Sequence, residues 1–300
     1  MTPRVRRAAS RICCLAALLA AALAPAAADT RGRGVLWTVE GRHNTVYLLG
    51  SVHLLRESDG ALPGTAEAAY DDAERLVMEI DLDDPAVADP AALLGDMQRS
   101  ARLPQGTTLR GVLGPDYPSI AGQAEAAGLD LGLLDDFAPW FVATLLMQAE
   151  LAELGFRPEL GIEQRIALRA ARDRKPIEGL ETPAGQFATL ARLPLPVQKR
   201  FLQMTIEETA DIDAELERML EAWRAGDTAA LAELLTDAYE EFPELYGPLT
   251  EERNRAWVEE IGALLDDRDD YLVVVGALHL VGRNSVVDLL RSRGYTVTRQ

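Results

Sequence analysis

Two of the chain's three histidines stand in matching surroundings. His53 lies in "VYLLGSVHLL" and His279 in "YLVVVGALHLVG", so each follows an apolar run, a glycine and two further residues. The glycines, Gly50 and Gly276, would allow a sharp exit from a strand and a close approach of the backbone to a ligand. Neutral imidazoles are frequent metal ligands. The repeated pattern therefore predicts that both histidines serve one site.

A carboxylate is predicted to join them. Glu79 stands near the end of the apolar run "RLVMEID", and Asp81 follows two residues later. In parallel α/β sheets, ligands bind beyond the carboxyl ends of the strands, so we expect Glu79, His53 and His279 to lie together. Two imidazoles and a carboxylate can hold a divalent ion and leave positions for water. An ion held in this way lowers the pKa of water and polarises a substrate carbonyl.

A simpler interpretation stands beside this one. A histidine that follows a strand is often a hydrogen-bonded structural residue, and an acidic residue at a strand end often caps a helix or faces solvent. The third histidine, His43, lies in the polar segment "GRHN" between two strand-like stretches. We expect His43 to be exposed and to have no role in the site.

The order of apolar and amphipathic stretches predicts an α/β fold. "VLWTVE" and "TVYLLGS" indicate a β-hairpin around "GRHN". A helical stretch, "GTAEAAYDDAERL", and a strand, "LVMEID", follow, which indicates a βαβ unit with a parallel pair. "KPIEGLET" predicts a further short strand, and the chain ends in strand, helix, strand. The expected fold is a mixed, largely parallel sheet flanked by helices, with a large helical insertion at about residues 89–265.

No linker rich in Pro, Gly or Ser divides residues 29–300, which predicts a single domain. Strands at residues 46–49, 76–80 and 272–275 should share one sheet, with the long acidic helices outside it. The most apolar helical stretch, "APWFVATLLMQAELAELGF", is expected to lie in the core.

Residues 1–28 have the plan of a secretory signal peptide. Four arginines and no acidic residue precede the apolar run "ICCLAALLAAALAPA", and "AAADT" offers a small-residue cleavage site near Ala28. The alternative, a membrane anchor, needs a longer apolar run. No other stretch is long and apolar enough to cross a membrane. We therefore expect a periplasmic or secreted protein without a membrane span after cleavage.

Composition limits the chemistry and the partners. Cys13 and Cys14 are the chain's two cysteines, so cleavage would leave no disulfide and no thiolate ligand. The net charge of −18 would become about −22 without the four leader arginines. Such an acidic surface repels nucleic acid and anionic lipid. The partner expected is a peptide or small-molecule substrate, and the oligomeric state is left open.

Six short blocks together resemble the TraB/PrgY/GumN family. They are "YLLGSVHLL", "VMEID", "GIEQ", "KPIEGLET", "ERNRAW" and "VVVGALHLVG", and they occur in the family's order across nearly the whole chain after the leader. That family is related to the Tiki proteases and, more distantly, to erythromycin esterase and ChaN-like proteins. Ser51 stands where many relatives have threonine, a mild departure that leaves Gly50 and His53 in place.

The resemblance implies a metal site. His53 and His279 match the family's two Gly-x-x-His histidines, and Glu79 matches its early carboxylate; in Tiki-like members these are tied to metal-dependent proteolysis. Ligands of N and O without sulfur suit zinc, manganese, cobalt or iron, and the resemblance to Tiki proteases favours manganese or cobalt. Whether Glu79 is a ligand or the general base is left open.

Further residues fall in the family's other blocks. Glu163 lies in "GIEQ", Glu181 in "GLET", and Arg253 and Asn254 match the "RN" pair. An arginine can hold a substrate carboxylate or stabilise a developing oxyanion. The alternative for Arg253 is an exposed helix residue that pairs with one of the nearby acids Glu251, Glu252 and Glu259.

Two functional hypotheses follow. The first is an exported metal-dependent hydrolase of the peptidase type. The second is a non-catalytic protein of the same fold that binds or sequesters a peptide or small molecule, because function belongs to sites rather than folds.

Overall fold

A six-stranded sheet forms the centre of the protein. The structure is a computed structural model that describes residues 34–59, 62–208 and 212–300, so the predicted leader and cleavage site lie outside the described residues. The strands are β1 (Val35–Glu40), β2 (Thr45–Ser51), β3 (Arg75–Ile80), β4 (Ile177–Glu181), β5 (Tyr271–Gly276) and β6 (Val297–Arg299).

The sheet is mixed and largely parallel, which confirms the predicted fold class. Its strand order is β4-β3-β5-β2-β1-β6. The first four of these strands pair in parallel, and β1 pairs antiparallel with both β2 and β6. The predicted hairpin is present as β1 and β2, and His43 is exposed in the turn between them.

One predicted pairing differs from the structure. β2 and β3 are parallel members of one sheet, as the βαβ pattern indicates, but β5 lies between them and pairs with both. The reason is burial: every residue of β5 is buried, whereas β3 begins and ends on half-buried residues. A strand that is apolar throughout belongs in the middle of a parallel sheet, where helices cover both faces.

Helices fill most of the chain between β3 and β5. The long apolar helix Pro139–Glu153 has nine buried residues, including Trp140 and Phe141, and so belongs to the core as predicted. Within the described ranges, no helix has the length and apolar character needed to cross a membrane. The α-helices are α1 (Gly64–Asp72), α2 (Pro85–Ala88), α3 (Pro90–Ala101), α4 (Leu109–Leu113), α5 (Tyr117–Ala126), α6 (Pro139–Glu153), α7 (Ile162–Asp173), α8 (Pro183–Ala191), α9 (Leu195–Glu208), α10 (Ile212–Ala225), α11 (Thr228–Glu241), α12 (Pro243–Tyr246), α13 (Arg253–Leu264) and α14 (Val286–Ser292).

Two irregular helices complete the frame of the site. A 3₁₀-helix, Ala277–Leu280, follows β5 directly and is buried throughout. A π-helical segment, Gly247–Glu252, runs into α13. Helical segments of the π type often occur at functional sites.

Candidate active site

The carboxyl ends of the four parallel strands meet at one edge of the sheet. β2 leads to His53, β3 carries Glu79 as its penultimate residue, β4 ends at Glu181, and β5 leads to His279. The strands are in register at this edge, because the last residue of β2 pairs with the last residue of β5. The polar side chains therefore gather where ligands bind in parallel sheets.

Gly276 marks the centre of this cluster. A methyl group placed on its Cα would lie 3.4 Å from Oε1 of Glu79, 3.5 Å from Cδ2 of His279 and 3.7 Å from Nε2 of His53. The structure thus places both histidines and the carboxylate around one point, although they are far apart in the chain. The backbone N–H of Gly276 also donates to Oε1 of Glu79, at 2.8 Å.

His53 is oriented by a carboxylate. Its Nδ1 lies 2.7 Å from Oε1 of Glu163, which also accepts a hydrogen bond from the Ser51 hydroxyl. Because a carboxylate oxygen accepts, Nδ1 carries the hydrogen in the neutral imidazole, and Nε2 then keeps its lone pair. That Nε2 atom is buried, has no hydrogen-bond partner and lies 3.7 Å from Oε1 of Glu79.

The backbone fixes Glu163 beside His53. The N–H of Ile162, the first residue of α7, donates to the carbonyl of Val52, at 3.1 Å. The preceding residue, Gly161, leaves no room for a Cβ, because that atom would collide with the carbonyl of His53. The glycine of the "GIEQ" block therefore permits the close approach that positions Glu163.

His279 is oriented by an amide. Its Nδ1 lies 2.6 Å from Oδ1 of Asn254, and this acceptor again places the hydrogen on Nδ1. Nε2 then accepts from Nη1 of Arg253, at 3.3 Å. The Trp257 ring packs against the imidazole with a centroid separation of 4.4 Å. Both histidines are thus held in the same tautomer, with Nε2 directed into the cluster.

Arg253 is a buried residue, which contradicts the alternative of an exposed helix arginine. Its side chain is 7% exposed, and it donates to Oε2 of Glu79 at 2.6 Å and to Oε1 of Glu181 at 2.9 Å. Arg255, two residues later, is the exposed arginine that pairs with Glu251. Of these two arginines near the start of α13, Arg253 reaches the carboxyl groups at the sheet edge and Arg255 lies at the surface.

The surroundings shift the pKa values of the two imidazoles in opposite directions. Burial lowers the pKa of His53, but the neighbouring Glu163 carboxylate outweighs burial and raises that pKa above its usual value. Burial, reinforced by the Arg253 guanidinium, lowers the pKa of His279 to about 3. His279 is therefore neutral at physiological pH, whereas His53 takes up a proton more easily than an ordinary histidine.

The two carboxyl groups beside Arg253 also differ. Burial raises the pKa of Glu79, but Arg253, both imidazoles and the Gly276 N–H outweigh burial and lower it to about 2. Burial raises the pKa of Glu181, and the pairing with Arg253 does not cancel this effect. Glu79 is thus firmly ionised, and Glu181 takes up a proton more easily than an ordinary glutamate.

Two sequence candidates lie outside the cluster. Asp81 is half-buried, and its carboxylate accepts from the N–H of Asp83 in the turn after β3. Gly50 is required for packing, since a Cβ there would lie 2.6 Å from Cγ1 of Val35. The sequence pattern missed Gln186, whose amide donates to Glu79 and Glu181 at 3.3 Å each. Gln186 lies in α8, within no distinctive motif.

The donor atoms fit a divalent ion in type, but the arrangement is not a finished metal site. His53 offers a buried Nε2 without a partner and holds Glu163 at its other nitrogen, while Glu79 and Glu181 share one guanidinium. A divalent cation would offset that charge and could replace the proton on His53. Nevertheless, no group of three or more His, Cys, Asp or Glu side chains in the described segments could hold a metal as it stands. The Arg253 contact with Nε2 of His279 would have to open.

The two motif glycines make a matched pair of tests. Gly276→Ala adds a methyl group at ordinary contact distances from the two imidazoles and Glu79, so we expect little loss of stability but metal affinity reduced by roughly tenfold or more. Gly50→Ala pushes a methyl group into Val35 and to within 3.0 Å of Cα of Ala277. Such overpacking should cost about 1–3 kcal/mol of unfolding free energy. Urea unfolding and metal titration distinguish the two results. If Gly276→Ala binds metal as tightly as the parent protein, any bound ion does not lie between the two imidazoles and Glu79.

Comparison with known proteins places the chain in a family. The protein is 25% identical over 272 residues to YbaP of Shigella flexneri and of Escherichia coli (strain K12), both described as uncharacterized; each match covers 88% of this chain and 96% of the relative. It is 24% identical over 317 residues to metalloprotease TIKI2 of Xenopus tropicalis, covering 87% of this chain and 59% of that protein. No solved structure matches the chain at a significant level. The profile of the TraB/PrgY/gumN family matches residues 35–299, and the chain therefore belongs to that family.

Proposed function

We propose that this protein is an exported metal-dependent hydrolase that acts on peptide bonds. One observation carries the proposal: both buried histidines are held by their Nδ1 atoms, so both Nε2 atoms are directed into the same carboxyl-lined space. Metal-binding histidines commonly have this second hydrogen bond, which fixes the ring and its tautomer. Buried structural histidines would also have hydrogen-bonded Nδ1 atoms, but they would not need to direct both Nε2 atoms at one carboxylate.

The proposed ligands are Nε2 of His53, Nε2 of His279 and the carboxylate of Glu79. A bound divalent ion would supply an activated water and polarise the scissile carbonyl. Glu163 and Asn254 would hold the two imidazoles in the ligating tautomer. Manganese, cobalt and zinc all suit N and O donors without sulfur.

The carboxyl groups differ in the roles we assign to them. The low pKa of Glu79 makes it a poor proton acceptor and favours the ligand role. The raised pKa of Glu181 suits proton transfer better. Arg253 holds both carboxyl groups in place and carries a positive charge that could stabilise a developing oxyanion.

Similarity to a protein named as a metalloprotease supports peptide cleavage as the reaction. At 24% identity this support concerns the reaction class, and the substrate does not follow from it. The acidic composition adds that an anionic substrate would be repelled.

A specific contact favours the second candidate function, a binding protein without catalysis. Arg253 lies against Nε2 of His279 and against Glu79, so it occupies two of the three proposed ligands. If this arrangement persists in the presence of divalent ions, the cluster is a structural ion-pair network at the base of a binding pocket.

The metal distinguishes these functions. We expect chelator-treated protein to cleave none of a peptide library, and manganese, cobalt or zinc to restore cleavage. Glu79→Gln should abolish metal retention, measured by elemental analysis. Glu181→Gln should retain metal and lose turnover. Cleavage that is unaffected by chelator would reject the metal-dependent mechanism. If the protein neither binds metal nor cleaves peptides, the second candidate function, a binding protein without catalysis, is favoured.

Export has its own test. The arginine-rich start, the apolar run and the "AAADT" segment predict a mature N-terminus near Asp29. Mass spectrometry of protein from its native host should find that terminus in the periplasmic or secreted fraction. An intact leader on the active pool would reject export by cleavage.

A further inference from the structure

A cavity of about 410 Å³ opens onto the proposed active site. His53, Glu79 and Glu163 line it at the cluster described above. Its volume falls in the range of pockets that hold small ligands, roughly 300–1,000 Å³. A ligand that reaches the cluster through this cavity would be surrounded by its walls.

The walls are mostly apolar. Helix α3 contributes Leu93, Leu94 and Met97 to them, and Leu151, Phe156 and Phe187 come from other parts of the chain. Leu94 is 46% exposed at the border of the cavity, so its side chain is available to a ligand that enters. Leu94 and Leu133 are the two large apolar side chains that are exposed within the described segments, and Leu94 alone of the two borders the cavity.

The polar groups of the cavity select against anionic ligands. Among the described residues that line it there is no lysine or arginine, and the ionisable groups are His53 and two glutamates. An anionic ligand would therefore meet two carboxyl groups and no lysine or arginine on the described part of the cavity wall. Gln148, Gln164 and Gln186 also border the cavity, and their amides both donate and accept hydrogen bonds, as a peptide backbone requires.

We propose that this cavity is the substrate pocket and that it selects an extended peptide segment whose buried side chain is bulky, apolar and uncharged. The inference rests on the proposed function, whose site the cavity adjoins. The apolar walls would bury the side chain, and the glutamine amides would bind the peptide groups. A fatty acyl chain could also fill apolar walls, but it would form few or no hydrogen bonds with the glutamine amides that border the cavity.

The test measures binding separately from turnover. Fluorescently labelled peptides with blocked termini, identical except for one central Leu, Phe, Gly, Asp or Lys, are titrated by anisotropy into metal-free protein. The Leu and Phe peptides should bind at least tenfold more tightly than the Gly, Asp and Lys peptides. Leu94→Glu should remove that preference, because it places a charge at the border of the cavity. Leu133→Glu makes the same change on a surface outside the cavity and should leave the preference intact.

Each outcome has a distinct meaning. Equal binding of all five peptides, or loss of the preference in Leu133→Glu as well, would overturn the pocket assignment. If a fluorescent fatty acyl ester binds tightly and the Leu peptide does not bind, the ligand of the cavity is a lipid and the peptide assignment is wrong. Apolar peptides that bind but are not cleaved with any metal would retain the pocket and reject the hydrolase. Cleavage without apolar preference would retain the hydrolase and reject the pocket.

Discussion

Replacing either His53 or His279 by alanine is expected to reduce metal affinity by more than 100-fold and to abolish peptide cleavage. Each substitution removes one of the three proposed ligands, and loss of an outer partner of a ligand alone typically costs roughly 10- to 100-fold. The measurements are metal content of the purified variant, metal titration and cleavage at saturating metal.

The fold should survive both substitutions, because the sheet and its helices are held by an extensive apolar core that does not depend on either imidazole. His43→Ala is the matched control, since His43 is exposed in the β1–β2 turn. It should change neither metal affinity nor cleavage. If His53→Ala and His279→Ala both bind metal and cleave peptides as the parent does, then the two histidines are structural and the hydrolase proposal fails with them.

The site could be predicted from the sequence because the Gly-x-x-His segment occurs twice, each time after an apolar strand. The two Gly-x-x-His segments follow apolar strands, so the topology rule for parallel sheets was enough to predict that His53, Glu79 and His279 lie at one edge. The structure places them around Gly276. The central place of β5 did not follow from chain order, because pairing between strands far apart in sequence depends on which strand is buried on both faces.

The hydrogen bonds within the site could not be predicted from local sequence pattern, and Glu163 and Asn254 were candidates only through the family resemblance. Glu163 accepts a hydrogen bond from the hydroxyl of Ser51, which is 112 residues away in the chain. The Gln186 amide donates to Glu79 across 107 residues. Such contacts are set by how helices pack on the sheet, and no period or spacing in the sequence records them. Burial of Arg253 was likewise hidden, because the helix around it carries many exposed acids that could equally have paired with it.

Arg253 holds together a cluster that would otherwise repel itself. Its guanidinium is the one arginine or lysine group that the described contacts place between Glu79 and Glu181, and both carboxyl groups are at least partly buried. Its face also packs on the Trp257 ring, at 4.6 Å from the ring centroid. Removal of this cation leaves buried carboxylates without a counter-charge, which is among the most destabilising changes in a protein interior.

We therefore expect Arg253→Leu to lower the free energy of unfolding by about 3–5 kcal/mol. Urea unfolding at neutral pH, followed by circular dichroism, measures the loss. Arg255→Leu is the matched control on the same helix: Arg255 is 54% exposed and pairs with Glu251 one turn away. An exposed pair of this kind contributes about 0–1 kcal/mol.

Two further results would distinguish a loss of charge from a loss of packing. Adding Glu181→Leu to Arg253→Leu should recover part of the stability, because it removes one of the uncompensated carboxyl groups. A divalent cation should stabilise Arg253→Leu more than the parent, since the ion would take over the role of the guanidinium and His279 would be free to bind it. If Arg253→Leu unfolds like Arg255→Leu, the guanidinium does not compensate these carboxylates. If its large loss of stability is insensitive to both Glu181→Leu and divalent ions, the lost contact is packing against Trp257 rather than charge.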